Sequence, residues 1–110
     1  MGIKTPKILE RDIQRGILHY LTLKGYLVFK HRNVGIFKKS TGSYIPLPAQ
    51  DRGISDIIGC LSNGRFFAVE VKVPGNKPTM EQKLFLQRVS EHGGVAILAY
   101  SLDDVMKGGL

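Results

Sequence analysis

The stretch GISDIIGCLSNGRFFAVEVK, residues 53 to 72, decides how the chain folds, because its two apolar runs carry charge where a core strand should be plain. ISDIIGCL (54 to 61) and RFFAVEVKV (65 to 73) read as a hairpin closed by Ser62-Asn63-Gly64. Asp56 interrupts the first run, and Glu70 and Lys72 the second. A three-residue loop sets Asp56 opposite Glu70 and Lys72 opposite Ile54. A two-residue Asn-Gly loop would shift the register by one and throw the carboxylates onto opposite faces. Gly64 favours the longer loop, whose third position wants a left-handed backbone.

In that register the Cβ atoms of Asp56 and Glu70 lie about 4.5 to 5.5 Å apart, with Lys72 on the same face. Two carboxylates on an apolar surface repel, and burial aggravates this. A divalent cation with a taste for oxygen ligands, Mg²⁺ or Mn²⁺, would compensate. The hairpin alone equally admits a structural Glu70–Lys72 ion pair with Asp56 as a solvated edge residue.

Outward from the hairpin, Thr5-Pro6 opens a helix that Gly25 closes, with Ile13, Ile17 and Leu21 on one stripe. Glu10 falls within about 60° of that stripe, while Lys7, Arg11 and Arg15 take another face. YLVFKHRN (26 to 33) reads as a strand, and residues 34 to 53 as a long loop with room for a hairpin near Thr41-Gly42. TMEQKLFLQRVSEH (79 to 92) is a helix that Gly93-Gly94 stops. Gln82 aligns with Phe85, Leu86 and Val89, which suits either a polar site or a capping box with Thr79. VAILAY (95 to 100) is a strand and SLDDVMK a last helical turn. The order is α-β-(loop)-β-β-α-β, in one domain spanning residues 1 to 110.

Composition narrows the classes. The chain has 110 residues, 43% hydrophobic, with 16 Lys+Arg against 9 Asp+Glu for a net charge of +7. Disorder and a membrane span are not expected, nor is a secretory leader in MGIKTPKILERD, and the reading is a soluble, intracellular protein. A single cysteine, Cys60, excludes an internal disulfide and a Cys-rich zinc site, and reads as a buried thiol. His19, His31 and His92 show no ligand spacing and read as solvated or core histidines. Residues 1 to 50 hold nine Lys/Arg against Glu10 and Asp12, whereas residues 51 to 110 hold seven of each sign. A polyanionic partner follows, nucleic acid before membrane; the bland alternative is solubility.

The ordered set Glu10, Gly53-Ile-Ser-Asp56, Ala-Val-Glu70-Val-Lys72 and Thr-Met-Glu-Gln82 resembles the PD-(D/E)XK nuclease superfamily, and within it the stand-alone VRR-Nuc domains of viruses and bacteria. Ser55 stands where the superfamily name puts proline. The resemblance implies a restriction-endonuclease-like α-β-β-β-α-β core, an α/β fold with a mixed sheet flanked by helices. It implies that Asp56, Glu70 and the Val71 carbonyl hold Mg²⁺ or Mn²⁺ and that Glu10 reaches the metal directly or through water. Lys72 then orients or activates the attacking water or clamps phosphate, and Gln82 supports the site. Lys7, Arg11, Arg15, Arg32, Lys38, Lys39 and Tyr44 are candidate DNA contacts, with Arg52 nearest the scissile phosphate; a solvated basic face is the alternative.

The function so implied is a metal-dependent DNA endonuclease, selective for branched, flap or Holliday-junction DNA in replication, repair or recombination. It would act as a homodimer or higher homo-oligomer, alongside a helicase or replication protein, in the cytoplasm of a bacterium or phage-infected host. The alternative is a non-catalytic nucleic-acid-binding subunit that keeps the fold. A basic regulatory protein acting through protein contacts has only the net charge behind it.

Overall fold

A computed structural model describes residues 8–32, 36–48 and 51–110. The first helix, α1 (Glu10–Leu23), begins later than Thr5-Pro6 would have it. Ile8 and Leu9 are not helical, Leu9 supplies no side-chain cap, and its carbonyl accepts from Asp12 and Ile13 N–H. Glu10 and Asp12 in the first turn suit the positive end of the helix dipole. Thr5 and Pro6 lie outside the described residues.

Three antiparallel strands follow in space: β1 (Leu27–Lys30), β4 (Ile57–Cys60) and β5 (Phe66–Val71). Between β1 and β4 the long loop forms a separate two-stranded sheet, β2 (Ile36–Lys38) with β3 (Ser43–Ile45), at the place expected near Thr41-Gly42. β6 (Val95–Ala99) joins β5 in parallel, giving a mixed four-stranded sheet in the order β1-β4-β5-β6. A parallel neighbour needs a crossover, and α2 (Met80–Glu91) provides it. A short α3 (Leu102–Lys107), capped by the Ser101 hydroxyl, closes the chain order.

The strands are shorter than their apolar runs. β1 stops at Lys30 although His31 N–H still donates to Asp56 C=O at 2.7 Å, and β4 begins only at Ile57. The reason lies at Asp56, whose own carboxylate takes the Val71 N–H (3.0 Å) that a regular ladder would offer to backbone.

The pleat sorts the two faces. Ile57, Phe67, Val69, Val71, Ile97 and Ala99 point to one side and form the core with Ile17 and Leu21 of α1, Val105 of α3 and Leu110. At roughly 1.5 to 3 kcal/mol for each large aliphatic or aromatic side chain removed from water, this layer supplies most of the driving force. On the other side α2 packs over β5 and β6 and buries Val89. Farther out on that side Leu27 and Phe29 stay exposed and Cys60 is half-buried, so the buried thiol expected at Cys60 is corrected to a half-buried one on a sparsely covered part of the sheet face. Among the described residues no helix is long and apolar enough to cross a membrane.

Candidate active site

The turn after β4 sets everything that follows. Leu61 N–H donates to Arg65 C=O (2.8 Å), Gly64 N–H closes back on Leu61 C=O (2.9 Å), and the Asn63 side chain accepts from Arg65 N–H (3.0 Å). Gly64 has φ +86°, a left-handed backbone that costs an L side chain roughly 1–2 kcal/mol. This is the three-residue loop, and it pairs Ile57 with Val69. One step further along, Asp56 comes opposite Glu70.

Glu70 is 1% exposed, and neither of its oxygens has a hydrogen-bond partner among the described residues. Its carboxyl is pushed up to about 9: by burial first, then by the Asp56 carboxylate beside it and by Glu10, against the pull of the Lys72 ammonium. A lone buried carboxylate costs roughly several kcal/mol, so the position makes no sense as architecture. Asp56 is half-buried and anchored, with Oδ2 on the Val71 N–H. That leaves Oδ1 free of this bond.

Glu10 opens α1 on the stripe of Ile17 and Leu21, and the helix carries it to the same spot. Burial and the Asp56 charge raise its carboxyl, with Lys72 opposing. One carboxylate oxygen from each of Glu10, Asp56 and Glu70 lies within 4.8 Å of the others. Three hard oxygen donors, one of them buried and without a partner, fit a divalent cation of the Mg²⁺ or Mn²⁺ kind.

Lys72 follows β5 directly, its backbone N–H bound to Ala99 C=O at 3.0 Å. No Glu70–Lys72 ion pair forms among the described residues; the pair that does form is Lys107–Asp103 at 2.7 Å, on the surface. The structural ion pair is therefore set aside, and Asp56 is no solvated edge residue.

Gln82 occupies a complete capping box: its Oε1 accepts from Thr79 N–H (2.8 Å) and its own N–H donates to the Thr79 hydroxyl (3.2 Å). It is not one of the three clustered carboxylates, but it lines a cavity of about 220 Å³ with Leu47, Arg52, Gly53, Thr79 and Glu81. Arg52 therefore sits against the first turn of α2, its Nε donating to Leu47 C=O at 3.3 Å. Arg11 and Arg15 are exposed on α1, Arg32 follows β1, and Lys38, Lys39 and Tyr44 belong to the β2–β3 hairpin. Lys7 lies outside the described residues.

Two residues adjoining Asp56 carry no site role in the sequence reading. His31 follows β1 and faces Asp56 across the β1–β4 pairing, and neither its buried ring Nδ1 nor the fully buried Ser55 hydroxyl has a partner among the described residues. The β1–β4 register that brings His31 here is a pairing of distant segments, which no local signal announces. Ser55 had a signal, its place directly before the aspartate.

An α-β-β-β-α-β core with a mixed sheet, flanked by helices and bringing two acids of its central hairpin together with a third from α1, defines a restriction-endonuclease-like protein. The family model of the VRR-NUC domain matches residues 36–103, well over half of the chain, and the chain belongs to this nuclease family. The matched stretch holds Asp56, Glu70, Lys72 and Gln82. Glu10 lies ahead of it, and the fold alone brings that residue in. Neither the curated proteins nor the solved structures give a match.

Proposed function

We propose that this member of the VRR-NUC family is a Mg²⁺- or Mn²⁺-dependent DNA endonuclease acting on branched, flap or four-way DNA. The observation that carries the proposal is the buried, unpartnered Glu70 carboxylate with Asp56 and Glu10 at its side. Glu10, Asp56, Glu70 and the Val71 carbonyl would hold the cation. Such a cation lowers the pKa of its water and offsets charge on the attacked phosphate.

The chain's own groups do the rest. Asp56, fixed through Oδ2 by the Val71 N–H, presents its other oxygen without needing to reorient. Lys72 brings a positive charge to the same face, where it orients the attacking water or a phosphate oxygen. The basic half of the chain supplies phosphate contacts that carry no base information. A homodimer would place two such sites on symmetry-related strands of a junction.

The test is a panel of labelled single-stranded, duplex, flap and four-way DNA with Mg²⁺, Mn²⁺ or EDTA. Cutting of branched substrates that EDTA stops and Asp56→Ala abolishes is the expected result. Cleavage indifferent to EDTA refutes the metal mechanism; binding without any cutting favours the non-catalytic subunit.

A further inference from the structure

The β2–β3 hairpin is built unlike the rest of the molecule. Its strands pair Phe37 with Tyr44 and Lys38 with Ser43 in a two-stranded sheet of their own. Directly opposed residues share a face, so the two aromatic side chains stand side by side, 61% and 60% exposed. Lys38 takes the opposite face and Lys39 the tip. An isolated hairpin is only marginally stable in water, yet this one keeps more than half of each ring's surface open to solvent. Residues 36 to 48 contain no acid.

We propose that Phe37, with Tyr44 beside it, is a stacking platform for unpaired bases of the DNA substrate, while Lys38 and Lys39 hold the flanking phosphates. The proposal rests on the DNA reading above and deepens it by naming what part of the DNA is recognised. Aromatic rings interleaved with lysines, without acids, match the chemistry of single-stranded nucleic acid: a ring for the base, a cation for the backbone. A protein partner would meet two rings in a stretch whose charge is wholly positive, a poor match for the charge-depleted core of a protein interface. Inside a duplex every base face is already stacked on its neighbours. The platform is useful only where a flap, gap or branch point leaves a base uncovered, which gives selectivity for branched DNA a physical origin.

The experiment measures binding of the full chain in EDTA to a plain duplex, a flapped duplex and oligo-dT of matched length, at one salt concentration. Phe37→Ala should weaken the flap and oligo-dT complexes roughly tenfold and leave the duplex within about twofold, the scale of one lost stacking contact. Phe37→Trp should restore binding. A 2-aminopurine placed in the flap should be quenched by the parent and by Phe37→Trp but not by Phe37→Ala. Phe37→Ala affinities that fall equally on duplex and flap, or on neither, overturn the platform. A parent that cuts flap DNA with Mn²⁺ while Phe37→Ala binds it unchanged sinks this inference alone; a parent that binds no DNA sinks the nuclease reading as well.

Discussion

Two antiparallel hairpins follow each other along this chain, and they use the same pairing geometry for opposite ends. In β4–β5 nearly every side chain of the second strand is buried, and its one ionisable group is an acid without a hydrogen-bond partner among the described residues. In β2–β3 the described side chains are exposed and the charge is positive. Each hairpin is anomalous against its own background: acids inside an apolar layer, aromatics outside one. Function shows where a residue type contradicts its surroundings, because folding alone would have selected something else.

Shortening each turn by one residue separates the two hairpins most sharply. Removing Ser62 shifts the β4–β5 register, turns its apolar set toward solvent and parts Asp56 from Glu70, so cooperative unfolding should be lost in a thermal melt. Removing Ser40 from the other turn should leave the melting temperature within a degree or two. Next in size, Asp56→Ala and Glu70→Ala should each lower cleavage by more than about a hundredfold, beyond the effect typical of residues that only support metal ligands. Stopped-assay rates on a flap substrate measure this.

Glu70 also predicts a pH dependence. Its folded pKa of about 9 lies above the ordinary 4.5, so the cation-free protein holds a proton there that the unfolded chain releases. That contribution to stability is complete below about pH 4.5 and is lost as the pH climbs toward 9. In EDTA the melting temperature should therefore fall across this window, and Glu70→Gln should flatten the fall while abolishing cutting. A parent and variant that melt in parallel from pH 5 to 9 would contradict the burial of a lone carboxylate.

Smaller still is the helix cap. Thr79→Ala should cost about 1 kcal/mol, or roughly 4–8 °C in melting temperature. Lys38→Ala with Lys39→Ala should not move the melt at all, yet should flatten the salt dependence of DNA binding by close to two counterions. A shared loss of stability would mean that the ribbon belongs to the packed body after all.

What was legible in the sequence was local. The turn residues gave the register and so the Asp56–Glu70 pair, the spacing of Thr79 and Gln82 gave the cap, and the apolar stripe marked Glu10 as misplaced. Position along the strand proved harder, because β4 begins only past the point where a side chain replaces a ladder bond, and composition does not report such a substitution. Pairings between distant segments were not legible. Val28 meets Gly59 across the whole intervening loop, and that pairing alone brings His31 to Asp56. Arg52 lies against the first turn of α2 beside Gln82, a contact that depends on how the loop returns to the body and that no local signal gives. The start of α1 was misjudged because Thr5-Pro6 is a good cap in isolation, while the helix takes its first turn from acids nearer the site.

Gly53 carries one last consequence. It has φ +82°, and a Cβ on it would collide with the Glu81 carbonyl in the first turn of α2. Two unrelated demands, backbone hand and contact with a helix, fall on one atom-poor position three residues before Asp56. Any side chain there would press the loop off α2, and with only two residues between Gly53 and Asp56 that displacement would be felt at the acids; a position with no functional group thus holds the site in place.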